Sequence, residues 1–118
     1  MGTFSWPMTV STVTGEGSRV IEAMVDTGAT YTMLPASTLR DIGIAPTRNI
    51  RFTLANGSTE SREAGEMRVI VDGNRAVATV IFGAEDTLSL MGATTLEEVG
   101  LAVDPVKRRL VPTTALLL

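Results

Sequence analysis

The order of apolar and polar residues along the 118-residue chain predicts many short β-strands and two short helices. Most apolar runs are short, rich in β-branched residues, and bounded by Gly, Pro, Asn or Asp. No repeat of fixed period is visible. The predicted strands are residues 8–14, 20–25, 31–34, 50–54, 58–71, 76–82, 88–92, 101–103 and 109–111, and we expect Pro7 to limit the first of them at a sheet edge.

Local signals place the first helix and the hairpins. Pro35 can open a helix over residues 36–42, and Gly43 can close it. Asn56-Gly57 predicts a hairpin with a two-residue primed turn. The strand that follows this turn begins with polar residues, so the tip of the hairpin has little to bury. Asp72-Gly73-Asn74 predicts a second hairpin.

A second helix is predicted to run to about Val99 and to end at Gly100. Two candidate capping boxes mark its start, Thr94 with Glu97 and Thr95 with Glu98. Together the elements indicate an all-β (mainly β) fold, a small closed or partly orthogonal barrel with two short helices. The length of the chain predicts a single domain over residues 1–118.

Composition narrows the chemistry. The chain has no cysteine and no histidine, which excludes thiol nucleophiles, histidine-based triads, disulfides and nearly all zinc sites. We therefore predict no metal and no cofactor. A net charge of −3 argues against nucleic acid as a partner. The start of the chain lacks the features of a signal peptide, and no apolar run is long enough to span a membrane, so a cytoplasmic location and no membrane partner are predicted.

The residues with the most chemical content are Val25-Asp26-Thr27-Gly28-Ala29-Thr30, at the end of an apolar strand. A lone carboxylate next to a buried strand is costly, so Asp26 must be solvated, paired or used in chemistry. One interpretation is a turn residue whose carboxylate accepts hydrogen bonds from nearby backbone N–H groups. The other is catalysis, and without histidine, cysteine or metal two carboxylates sharing one proton could activate water and protonate a leaving nitrogen.

The chain resembles the retropepsin-like (clan AA) aspartic proteases, in their single-domain bacterial form. Three features carry the resemblance in order, and the resemblance covers nearly the whole chain, from about residue 3 to residue 112. Residues 25–30 look like the catalytic Asp-Thr-Gly loop. The Asn56-Gly57 hairpin lies where the family has its flap, here Leu54, Ala55, Asn56, Gly57 and Ser58. Leu90, Met91 and Gly92, followed by a helix, look like the element that packs behind the catalytic loop.

The resemblance implies an aspartic endopeptidase in which Asp26 is catalytic. Because one Asp-Thr-Gly is present, the second carboxylate is expected from Asp26 of another copy, which makes the protein a homodimer and its monomer inert. Thr27 is expected to join the two loops, and Gly28 to allow close approach of the substrate. The flaps are expected to cover an extended polypeptide substrate. Two carboxyl groups that share one proton are an arrangement for which aspartic proteases are the standard example.

The sequence departs from the retroviral pattern at two places. Retroviral members usually carry an acid soon after the Ala and an Arg-Asn or Arg-Asp pair after the late glycine. Here these positions hold Thr30 and Tyr31, then Ala93 and Thr94. Both halves of one ion-pair network are therefore absent together, which leaves open how tightly the expected dimer is held.

Several points stay open at the level of sequence. The alternative function is a non-catalytic peptide-binding or dimerisation module that keeps the retropepsin fold, and a further one is a monomer that is active only with a partner. The terminal leucines either fray or pair across the dimer. Tyr31 and Trp6 are expected at the surface or an interface, without a chemical role. Weak candidates for substrate pockets are Met33, Leu54, Ile81 and Phe82.

Overall fold

The computed structural model describes residues 4–117 and consists, over that range, of nine strands and two short helices. The elements in chain order are β1 (Phe4–Ser11), β2 (Arg19–Val25), β3 (Thr32–Pro35), α1 (Ala36–Ile42), β4 (Arg48–Thr53), β5 (Thr59–Val71), β6 (Asn74–Gly83), β7 (Leu90–Met91), α2 (Ala93–Val99), β8 (Leu101–Asp104) and β9 (Arg109–Pro112). The mainly β fold with two helices is therefore confirmed. Thr3 and Leu118, which earlier expectations included, lie outside the described residues.

Seven strands form one sheet in the order β1-β2-β7-β3-β6-β5-β4. β1 also pairs with β5, which closes six of these strands into a ring and leaves β4 outside it. The closed barrel predicted from the strand pattern is therefore present. Two contacts in the ring are parallel, β2 with β7 and β3 with β6, and both lie beside the loop that follows β2. β8 and β9 form a separate two-stranded sheet.

The core of the barrel is almost entirely aliphatic, as the low aromatic content implies. Residues at alternate positions of the strands point inward, as expected from the two-residue period of β-structure. Helix α1 covers one end of the core with Leu39 and Ile42, the apolar pair that its sequence predicts. The largest side chains with almost no exposure are Met8, Leu34, Leu39, Met67 and Met91.

The first strand differs from its prediction. It runs through Pro7 and ends at Ser11, whereas residues 12–17 form a turn. Pro7 is tolerated because β1 has only β2 as a neighbour there, and β5 begins to pair only at Thr9. A residue without an N–H group can occupy a strand where one side is unpaired. The edge assignment of Pro7 was thus correct, but its role as a strand limit was wrong.

The capping boxes predicted for the second helix are wrong. Helix α2 begins at Ala93 with Gly92 as its N-cap, and no side chain caps it. Thr95 is fully buried and its hydroxyl faces Thr32 instead of the helix end. Tertiary packing has therefore taken the hydroxyl that local sequence assigned to the cap. The predicted end at Gly100 is confirmed, since this residue is the left-handed C-cap.

The two hairpin turns differ in type, and the first differs from its prediction. At the first hairpin, the Leu54 N–H donates to the Ser58 carbonyl (2.8 Å) and the Gly57 N–H donates to the Leu54 carbonyl (2.9 Å). Gly57 has φ +85° and Asn56 does not have a positive φ, so the loop has three residues and the predicted two-residue primed turn is wrong. The primed turn occurs in the second hairpin, where Asp72 and Gly73 have φ of 51° and 80°.

Candidate functional site

Asp26 is the first residue after β2 and lies half-buried at the start of an open loop. Its N–H donates to the Met91 carbonyl at 3.0 Å, which fixes its main chain to β7. Its Oδ1 accepts a hydrogen bond from the Gly28 N–H at 2.9 Å, and its carbonyl accepts one from the Ala29 N–H at 3.2 Å. The carboxylate is therefore oriented by the backbone of its own loop, and a second oxygen stays available for another group.

The segment around Gly92 supports this loop from behind. Met24 and Val25 of β2 pair in parallel with Leu90 and Met91 of β7. The connection continues beyond the strands, because the Ala93 N–H donates to the Ala29 carbonyl (2.8 Å) and the Thr94 N–H donates to the Thr30 carbonyl (3.0 Å). The structure thus brings Leu90, Met91 and Gly92 against residues 26–30.

This contact requires a glycine at position 92, because there is no room for a side chain. A Cβ atom there would lie 2.4 Å from the Tyr31 carbonyl carbon and 2.5 Å from its oxygen. These atoms belong to the main chain and cannot rotate away. Any side chain at position 92 would therefore push the segment that follows Asp26 out of place.

A pair of buried hydroxyls lies under the same contact. Thr32 Oγ1 and Thr95 Oγ1 are 2.6 Å apart, and the Gly92 N–H donates to Thr32 Oγ1 at 3.1 Å. Both threonines are fully buried. The chain of hydrogen bonds joins β3, Gly92 and α2. Sequence reasoning missed this pair because a threonine inside a strand is unremarkable and Thr95 fitted a cap.

The predicted flap is the hairpin of β4 and the first half of β5. Its three-residue tip, Ala55-Asn56-Gly57, is exposed, and Leu54 beside it is 41% exposed. Asn56 Oδ1 accepts hydrogen bonds from the Ser58 N–H (3.0 Å) and hydroxyl (2.6 Å), which hold the tip together. The tip contacts little else, as its polar sequence predicts. The structure therefore has a projecting hairpin where the flap was expected.

A groove of about 370 Å³ runs between the Asp26 loop and this hairpin. It begins at Gly28, two residues after Asp26, and its floor comes from β3, β6 and β7. Three of the four weak pocket candidates, Met33, Leu54 and Ile81, line it. Phe82 does not line the groove, because successive strand residues point to opposite faces, and its buried ring lies 5.7 Å from the Arg40 guanidinium. That part of the prediction is wrong.

Two further contacts shape the groove. The Tyr31 and Phe52 rings meet edge to face, with centroids 6.2 Å apart at 88°, and so connect the Asp26 loop to the flap. Glu60 and Arg62, both on β5, form an ion pair of 3.0 Å. All four residues line the groove. Sequence reasoning assigned Tyr31 no role and did not consider the other three, although the alternation along the hairpin puts them on one face.

Residues 11–98 match the family model described as "gag-polyprotein putative aspartyl protease". This match covers well over half of the chain and includes the Asp26 loop, the flap and Gly92. The chain belongs to this aspartyl protease family. A search of curated proteins gave no match to the sequence.

Solved structures agree with the retropepsin-like assignment at the level of fold. The solution structure of Simian Foamy Virus (mac) protease is 19% identical and superposes with a TM-score of 0.53, covering 77% of this chain and 91% of that chain. EIAV protease, in complex with the inhibitor HBY-793, is 13% identical with a TM-score of 0.60, covering 84% of this chain and 89% of that chain. The resemblance seen in the sequence is thus confirmed.

Within this retropepsin-like fold, the positions that depart from the retroviral pattern are joined by main-chain hydrogen bonds. Thr30 accepts from Thr94, and Ala29 accepts from Ala93, as described above. Thr94 Oγ1 is buried and has no hydrogen-bond partner among residues 4–117. The two segments therefore stay together in this chain without an ion pair between their side chains.

The part of the chain that the structure describes has no group of three or more acidic side chains placed to hold a metal ion. In the same part of the chain, no helix is long and apolar enough to cross a membrane.

Proposed function

We propose that the protein is a homodimeric aspartic endopeptidase, in which Asp26 of one copy and Asp26 of a second copy share one site. The observation that carries the proposal is the setting of Asp26, which is half-buried, is oriented by the Gly28 N–H, and lies two residues before Gly28, where the lining of an apolar groove begins. Membership of an aspartyl protease family supports the reaction class.

The positions of the other acids support a second copy as the source of the second carboxylate. Among the described residues, Asp41 lies on α1, Asp72 in the β5–β6 turn, Asp86 in the β6–β7 loop and Asp104 at the end of β8. None of them lines the groove, and the groove's acidic residue, Glu60, is paired with Arg62. A single chain therefore offers Asp26 no partner acid at the site.

The proposed reaction uses the two carboxylates as one base and one acid. The ionised carboxylate accepts a proton from a water molecule, whose oxygen attacks the carbonyl carbon of the peptide bond. The carbonyl oxygen takes the proton of the other carboxyl group, which gives a neutral tetrahedral intermediate. The first carboxyl group, which now holds the proton from water, then gives it to the amine nitrogen as the C–N bond breaks. The second carboxylate takes a proton from one hydroxyl of the intermediate, so that an acid and an amine leave and the two carboxyl groups again share one proton. An extended substrate would pair with the flap as an added strand.

The direct test compares wild type with Asp26→Asn on a mixed peptide library, read by mass spectrometry of the products. We expect cleavage to fall by at least about 100-fold, the usual size of a general acid–base contribution. Sedimentation of both proteins is expected to give the same dimer, because the substitution keeps the shape of the side chain.

Full cleavage by purified Asp26→Asn would contradict the proposal. Peptide binding by both proteins with cleavage by neither would identify the protein as a binding module of the same fold. Cleavage only after a cell extract is added would point to an obligatory partner.

A further inference from the structure

The inner face of the flap hairpin carries two opposite charges at the rim of the groove. In the pairing of β4 with β5, Phe52 lies opposite Glu60, and Ile50 lies opposite Arg62. Residues two apart on a strand share a face, so Glu60 and Arg62 lie on the same side as Phe52. Their ion pair is short, 3.0 Å, and each side chain is partly exposed, 42% for Glu60 and 36% for Arg62. The rim of the groove therefore holds a pair of charges that neutralise each other.

The floor below this pair is apolar. It is formed by Met33 of β3, Ile81 of β6 and Leu90 of β7, and its outer wall by the Tyr31–Phe52 ring contact. An apolar side chain that enters the groove loses water on both surfaces, which favours binding. A charged side chain would lose hydration without a free opposite charge to compensate it, because Glu60 and Arg62 already satisfy each other.

From this geometry we infer that Glu60 and Arg62 are specificity-determining residues, which keep the groove selective for uncharged, apolar side chains of an extended peptide by pairing with each other. The inference rests on the proposed function for the nature of the occupant. The inference also has a consequence that does not follow from the proposed function alone. Loss of either charge leaves the other unpaired at the rim, and selectivity then shifts toward substrate side chains of the opposite sign.

The test uses binding and not cleavage, so that it is independent of catalysis. Asp26→Asn protein with labelled methyl groups is titrated with three acetylated, amidated peptides that differ only in one central residue, Leu, Glu or Lys. Methyl signals of Met33 and Ile81 report occupancy of the groove. We expect the Leu peptide to bind about tenfold more tightly than the other two, because it alone buries a large apolar side chain.

Two charge variants in the same Asp26→Asn background then test the ion pair. Glu60→Gln is expected to improve binding of the Glu peptide about threefold relative to the Leu peptide, and Arg62→Gln to do the same for the Lys peptide. Both gains should shrink when salt is added, since partly exposed charges are screened. The matched control is Arg51→Gln, which removes a charge from β4 on the opposite face of the hairpin and should leave all ratios unchanged.

Three results would overturn the inference. The first is that Glu60→Gln and Arg62→Gln leave the ratios of peptide affinities unchanged. The second is that Arg51→Gln changes these ratios as much as the two charge variants do. The third is that the methyl signals of Met33 and Ile81 respond to none of the peptides at millimolar concentration. None of them is affected by whether Asp26 catalyses hydrolysis. Conversely, absent cleavage with the expected binding ratios would remove the proposed reaction and leave the specificity of the groove in place.

Discussion

Among single residues, the buried threonines around Gly92 show how much depends on where a hydroxyl points. Thr94 and Thr95 are neighbours of the same chemical type at the start of α2. The Thr95 hydroxyl has a buried partner in Thr32, whereas the Thr94 hydroxyl is buried with no partner among the described residues. The same substitution at these adjacent positions should therefore have different effects on stability.

We expect Thr95→Val to lower the free energy of unfolding by about 1–3 kcal/mol, because it removes the buried hydrogen-bond partner of the Thr32 hydroxyl. Thr94→Val is the matched control, and it should be neutral or stabilising, since it removes a buried hydroxyl that has no partner in residues 4–117. Urea denaturation of both variants at one protein concentration measures the difference. An equal loss of stability in the two variants would show that the Thr32–Thr95 contact contributes nothing of its own.

Sequence predicted some of these residues and not others, for physical reasons that differ. Asp26 could be found because an acid directly after an apolar strand is unusual, whereas Gly92 was found through the family resemblance, as the glycine of the element behind the catalytic loop. Thr95 was misassigned because capping is a local signal, whereas its actual partner, Thr32, is 63 residues away. The role that we propose for Glu60 and Arg62 could be inferred only from the register of the hairpin and from the apolar floor of the groove beneath it.

Among the elements, helix α1 illustrates a cap that comes from a distant part of the chain. Its N-cap is Pro35, which offers no side-chain hydrogen bond. Glu85, in the β6–β7 loop, accepts hydrogen bonds from the Ser37 hydroxyl and from the Ser37 N–H, the latter at 3.0 Å. A carboxylate in this position accepts a hydrogen bond from an N–H of the first turn that has no partner within the helix, and its charge interacts favourably with the helix dipole. The pattern that predicted the helix could not predict this partner.

The contact makes stability depend on pH with a definite sign. The Ser37 hydroxyl, and then the Ser37 N–H, hold the pKa of Glu85 below its usual value of 4.5. Because the pKa is lower in the folded protein, the contribution to stability is present above about pH 4.5 and is lost as the pH falls through the folded pKa.

We therefore expect Glu85→Gln to be less stable than wild type at neutral pH, with a difference that shrinks as the solution is acidified below this value. Urea denaturation over a series of pH values measures it. Asp86→Asn is the control, since it removes a charge from the same loop and has no hydrogen bond to α1. A difference between wild type and Glu85→Gln that grows in acid would contradict the assigned role of the contact.

The flap shows which features of an element are encoded locally. Asn56-Gly57 correctly marked a hairpin, and the polar residues around it correctly indicated a tip with nothing to bury. The turn type was wrong because the Asn56 side chain bonds to Ser58, and only Gly57 takes up the left-handed conformation. The contact of Phe52 with Tyr31 connects the flap to the Asp26 loop. It depends on how two distant segments meet, so the sequence of neither segment could predict it.

For the whole molecule, the closed ring of strands fixes the position of the Asp26 loop. The ring fixes the loop after β2 against Gly92 and leaves β4 outside as part of a projecting flap. Leu116 and Leu117, near the end of the chain, are 82% and 96% exposed. Exposed leucines of this kind are suited to burial in a contact with another copy, which is one of the two alternatives for this segment, the other being a frayed tail.

The most direct test of the central claim, that two Asp26 residues from two copies form one catalytic site, is a mixing experiment. Wild type and Asp26→Asn are unfolded together, refolded in different ratios at constant total protein, and assayed on a peptide that wild type cleaves. If each site needs Asp26 from both copies, activity falls with the square of the wild-type fraction, to about a quarter in an equal mixture. Activity that instead falls in direct proportion to the wild-type fraction would show that one chain suffices and would contradict the account.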